Sequence, residues 1–76
     1  MDAGKTGAYL AALRKARGMT QQEAADQLGV SNKTVSKWEN GAGLPDITVL
    51  PALAELYGVT ADDILAGETL RGRPAE

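Results

Sequence analysis

The chain has 76 residues, 43% of them apolar, with eight basic and ten acidic side chains and a net charge of −2, the profile of one small globular domain. It contains no Cys and no His. Thiol and imidazole chemistry, disulfides and ordinary zinc or haem sites are therefore excluded, and neither an enzyme nor a cofactor or metal is expected. No run approaches the roughly 18 apolar residues that cross a bilayer, and residues 1–7 lack the apolar stretch of a secretory signal. A cytoplasmic protein with no membrane partner and no evident small-molecule site is expected.

The acidic total hides an uneven distribution. Residues 1–38 carry six Lys or Arg against three acids, a net +3, whereas residues 39–76 carry seven acids against Arg71 and Arg73, a net −5. If the basic half presents one face, that face can meet phosphates while the acidic half points away.

No strand-like alternation runs for more than a few residues, and Gly, Ser, Thr and Pro divide the chain into segments of helical length. The expected architecture is all-α: five short helices in a compact domain over residues 6–67, between flexible ends at 1–5 and 68–76. Helix 1 is expected from about Thr6 to Arg17, before Gly18. Stepping about 100° per residue, Leu10, Leu13 and Arg14 share its apolar face. Gly4-Lys5-Thr6 mimics the end of a phosphate loop, but no strand or earlier glycine precedes it.

Helix 2 opens with Thr20-Gln21-Gln22-Glu23, a capping box, and runs to Leu28, where Gly29 supplies a left-handed stop. Helix 3 starts after Ser31, a good N-cap, and reaches about Asn40 before Gly41-Ala42-Gly43. On its wheel Val35, Trp38 and Glu39 share one side. Lys33, Lys37 and Asn40 cluster about 140 to 200° away, with Ser36 beside them. One face is core and the other is polar and basic, which makes Trp38 a core residue rather than a binding aromatic.

Pro51 constrains helix 4. A cap at Asp46 would place the ring inside the helix and delete a hydrogen bond, so the expected cap is near Thr48, with the helix reaching Tyr57 and stopping at Gly58. Thr60-Ala61-Asp62-Asp63 then begins a short helix 5 that ends at Gly67. The two aspartates suit the positive end of the helix dipole better than a metal. Arg14 and Glu39 each project toward an apolar face, where an unpaired charge is costly, so the two are expected to meet as a buried or half-buried ion pair.

Gly29-Val30-Ser31 joins helices 2 and 3 in a tight turn, giving a helix-turn-helix. Here the sequence resembles the phage-repressor and Cro-type family, also called the xenobiotic-response-element family. The resemblance covers about residues 7–66 and rests on Leu-Ala-Ala-Leu-Arg (10–14), Gly-Met-Thr-Gln (18–21), Leu-Gly-Val-Ser (28–31), Val-Ser-Lys-Trp-Glu-Asn-Gly (35–41) and Leu-Ala-Glu-Leu-Tyr-Gly-Val (53–59). One departure is Ala24, which stands where family members often carry a larger apolar residue.

The resemblance implies a lambda-repressor-like DNA-binding domain that lays helix 3 in the major groove of double-stranded DNA, usually as a homodimer on two half-sites. Side chains near the N-terminus of such a helix read bases, here Asn32, Lys33, Ser36 and Lys37. Gln21, at the start of helix 2, is the position the family uses for a phosphate. Asn40 with the N–H groups of Gly41 and Ala42 is expected as a second phosphate clamp, and similar family members also have the Arg14–Glu39 pair. The expected function is a sequence-specific transcriptional regulator, more often a repressor. Apolar dimer contacts are expected at Val49, Leu56, Leu65 and Leu70. The rival reading is an antitoxin-like or adaptor module that uses the same fold to bind protein.

Overall fold

A computed structural model describes residues 2–70, and over them the chain folds into five helices with no strand: α1 (Ala3–Ala16), α2 (Gln21–Leu28), α3 (Asn32–Glu39), α4 (Leu50–Tyr57) and α5 (Ala61–Ala66). Local chemistry sets most of the boundaries. Thr20 accepts from the Glu23 N–H at 3.0 Å while the Glu23 carboxylate accepts from the Thr20 N–H at 2.8 Å, closing the capping box of α2. Ser31 accepts from the Thr34 N–H at 3.1 Å and starts α3. Between them Gly29 adopts φ +72°, a conformation that side chains resist, and the Val30 N–H returns to the Ala25 carbonyl at 3.1 Å. This fixes the turn that aims α3.

Two boundaries differ from the sequence expectation. The first helix begins at Ala3 rather than Thr6, because Asp2 caps it by accepting the Lys5 N–H at 3.1 Å. Residues 3–5 are thus helical, not a flexible end. The fourth helix begins at Leu50 rather than Thr48. Thr48 is held instead in a turn by Asp46, whose carboxylate accepts its N–H at 3.1 Å and its hydroxyl at 3.2 Å. Pro51 consequently sits in the first turn of α4, where no intrahelical N–H is required.

The described residues 68–70 make contacts with the domain. Glu68 lies 3.7 Å from Lys5, the Tyr9 and Thr69 hydroxyls are 2.9 Å apart, and the Leu70 N–H donates to Asp63 at 2.9 Å. Met1 and residues 71–76, the rest of the expected flexible ends, lie outside the described residues.

The core gathers Leu10, Ala25, Val35, Trp38, Leu50, Leu53, Tyr57 and Ile64 from all five helices. The first helix packs on α3 and α5, the second on α3 and α4, and α4 on α5. Ala24 is fully buried despite its small size. The Thr6 hydroxyl donates to the Ile64 carbonyl at 3.0 Å, tying α1 to α5 and giving Gly4-Lys5-Thr6 a helical, structural place. No described helix is long and apolar enough to cross a membrane.

Candidate nucleic-acid interface

The third helix divides as its wheel predicts. Val35 and Trp38 are buried at 2% and 6% exposure, while Asn32, Lys33, Lys37 and Asn40 are exposed and Ser36 is half-buried. Neither lysine is ion-paired among the described residues. The methylenes of Lys37 pass close to Gly43, since a Cβ there would lie 3.3 Å from Lys37 Cδ. A rigid helix therefore carries two ammonium groups outward on a surface backed by core.

Its seating depends on a polar cluster at the junction of α1, α2 and α3. Arg14 Nε donates to Glu39 Oε2 at 2.8 Å and Nη2 donates to Oε1 at 3.0 Å, a two-pronged pair. Arg14 Nη1 donates to the Met19 carbonyl at 2.8 Å, and Gln21 Nε2 donates to Glu39 Oε1 at 3.0 Å. The Arg14 and Glu39 side chains retain 11% and 5% exposure. Burial alone would push the Glu39 carboxyl up, but the hydrogen bonds from Arg14 and Gln21 and the charges of Arg14 and Lys15 hold it below the usual carboxylate range. The bond to Glu39 raises Arg14 further above its already high value. Burial, together with the nearby Glu39 charge, pushes the Tyr57 phenol up.

The groups expected to meet phosphate also make hydrogen bonds within the domain. One N–H of the Gln21 side-chain amide is used on Glu39, and the backbone N–H of Gln21, at the first position of α2, has no intrahelical acceptor. The N–H groups of Gly41 and Ala42, expected in a phosphate clamp, already have acceptors within the domain. Gly41 donates to the Trp38 carbonyl and Ala42 to the Lys37 carbonyl, both at 3.0 Å. They close the end of α3 on the left-handed Gly41, leaving the Asn40 side chain, itself 3.3 Å from the Ser36 hydroxyl, as the polar group there. Val49 and Leu56 are half-buried against the core, Leu70 is half-buried and Leu65 is 37% exposed.

Sequence reasoning missed two features. Gly7 lies buried against the end of α3, so closely that a Cβ would collide with the Trp38 carbonyl. A lone glycine inside an otherwise helical run is the one sequence sign of such an approach. Ile47, 77% exposed, and Leu44, 40% exposed, are outward apolar side chains in the loop between α3 and α4.

The helix-turn-helix family profile matches residues 10–64. The HTH-type transcriptional activator BcrR of Enterococcus faecalis is 41% identical over 58 residues, 76% of this chain and 28% of that protein. The cryptic phage CTXphi transcriptional repressor RstR of Vibrio cholerae is 36% identical over 55 residues, 72% of this chain and 49% of that protein. The chain thus spans half or less of the length of either relative. Among solved structures, the clp gene regulator ClgR of Corynebacterium glutamicum superposes with a TM-score of 0.75 at 25% identity, over 88% of this chain and 87% of that one. With its capped α2, left-handed turn and basic α3, the chain belongs to the helix-turn-helix family of phage-repressor and Cro type.

Proposed function

We propose that this chain is a sequence-specific double-stranded DNA-binding domain of a transcriptional regulator, which lays α3 in the major groove. The observation that carries the reading is Lys33 and Lys37, exposed and without an ion-pair partner among the described residues, on the face of α3 opposite Val35 and Trp38. Asn32, Lys33, Ser36 and Lys37 read base edges: lysine suits guanine O6 and N7, and asparagine suits adenine. The backbone N–H of Gln21 and the side chain of Asn40 set the register on phosphates. The domain acts in the cytoplasm without catalysis, and it represses where its site overlaps that of the transcribing enzyme.

One copy offers few base contacts, so a homodimer on half-sites about 34 Å apart suits the reading. The exposed apolar side chains of Ile47, Leu44 and Leu65 supply its contact. The test is fluorescence anisotropy with mixed-sequence duplexes at two salt concentrations, comparing the native chain with Lys33→Ala and Lys37→Ala. Binding that weakens steeply with salt and loses sequence preference in the variants supports the reading. Absence of binding at low salt favours a protein-interaction module.

A further inference from the structure

Asn32 and Asn40 are the only asparagines of the chain, and Asn40 alone is followed by glycine. Both are exposed, but Asn32 opens α3 whereas Asn40 stands just past its last helical residue, Glu39. We propose that Asn40-Gly41 is a site of self-modification, at which the Gly41 backbone nitrogen attacks the Asn40 carboxamide and turns that neutral group into a carboxylate. The chemistry stands apart from the DNA reading. Its consequence for binding rests on that reading and names a way in which the same surface is switched off.

The only co-reactant is water. The Gly41 nitrogen bonds to Asn40 Cγ, the Cγ–Nδ2 bond breaks, and Nδ2 leaves as ammonia with the proton that the Gly41 nitrogen has lost. One water then opens the five-membered ring. Cleavage of the new Cγ–N bond gives aspartate, and cleavage of the original backbone C–N bond gives isoaspartate. Nothing is oxidised or reduced.

The end of α3 supplies the reacting groups and their restraint. The Asn40 amide is held by a long bond, 3.3 Å, to the Ser36 hydroxyl. Gly41 adopts φ +74°, a conformation that favours glycine, so no side chain stands there to shield the nitrogen. Ring closure needs that nitrogen to eclipse Asn40 Cβ, which requires rotation of Asn40 ψ away from the 0° of the closed turn. Two bonds oppose the rotation, from the Gly41 N–H to the Trp38 carbonyl and from the Ala42 N–H to the Lys37 carbonyl, both at 3.0 Å. Helix ends open locally at much lower cost than a whole domain unfolds, so these bonds gate the reaction in the folded protein.

Either product sets a negative charge where Asn40 is proposed to meet phosphate, and like charges repel. Isoaspartate also adds a methylene to the main chain. The backbone has little room for it, since a Cβ on Gly41 would already lie 3.1 Å from Gly4 Cα. A phosphate bound at Asn40 favours the closed turn, so DNA protects the site from the reaction that disables it.

The native chain and Asn40→Gln are incubated in neutral and mildly alkaline buffer, with and without a mixed-sequence duplex, and followed by intact mass and peptide mapping. The native chain is expected to convert at residue 40, faster at the higher pH and more slowly with duplex, while Asn32 stays intact. Asn40→Gln, which needs a larger ring, should not convert. If residue 40 converts no faster than Asn32 under conditions in which the urea-unfolded chain does convert there, the inference is overturned. Asn40→Asp, folded by circular dichroism, should bind the duplex about tenfold more weakly than the native chain. Equal affinity would overturn the switch. A native chain that converts at residue 40 but binds no duplex upholds the chemistry and sinks the DNA reading, with the switch that rests on it.

Discussion

Arg14 donates through Nε, Nη1 and Nη2, and its acceptors belong to the end of α3 and to the loop before α2. That one guanidinium therefore fixes the angle between the helix that carries the lysines and the helix that supports it. With both side chains nearly closed off from water, removing one partner strands the other, a loss of about 3 kcal/mol in a domain whose whole stability is about 5 to 10 kcal/mol. Arg14→Ala and Glu39→Ala should each destabilise by this order, and the double variant should cost much less than their sum. A coupling near zero in denaturant titrations would refute the packing account.

The same pair predicts a pH response. The folded Glu39 carboxyl titrates below its usual value, so its contribution is complete above the ordinary carboxylate range and disappears as pH falls through the lowered folded value. The stability gap between the native chain and Glu39→Gln should shrink on going from about pH 7 to about pH 2. A gap that stays constant would contradict the assignment.

At the scale of elements, the position of α3 rests on how closely α1 approaches it. Gly7→Ala places a methyl on the Trp38 carbonyl, and backbone cannot give way as a flexible side chain does. Although alanine favours helix over glycine by about 1 kcal/mol, the variant should melt lower than the native chain and bind DNA more weakly. A higher melting temperature would show that the contact is not tight.

This contrast also explains what was legible in the sequence. Thr20, Ser31, Thr60 and the glycines that end the helices act within a few residues of themselves, so the ends of α2, α3 and α5 could be read directly. The split of α3 into a Trp38 face and a lysine face followed from periodicity. Gly7 against Trp38, Gln21 on Glu39 and Leu70 on Asp63 join residues that only the fold brings together or that a turn hides. The bonds from the Gly41 and Ala42 N–H groups to the last carbonyls of α3 are set by the left-handed turn at Gly41, which the Gly-Ala-Gly stretch alone does not specify. The start of α1 moves because Asp2 caps it, and that of α4 because Asp46 accepts from Thr48 in a separate turn before the helix rather than as its cap.

At the scale of the molecule, a net charge of −2 describes neither end of the chain, and the exposed lysines of α3 matter more than the sum. A dimer would double those lysines along the groove. Ile47 is so exposed that Ile47→Asp should leave folding intact while removing the proposed self-contact. Sedimentation should then show concentration-dependent mass for the native chain and a monomer for the variant. Identical behaviour of the two would exclude this loop as the contact.

The central claim is that the lysine-bearing face of α3 is the surface that meets DNA, and amide chemical-shift mapping during titration with a mixed-sequence duplex tests it most directly. Shifts should concentrate at Gln21, at residues 31–37 and at Asn40, and fade as salt rises. Shifts confined to α4 and α5, with Lys33 and Lys37 unmoved, would contradict it.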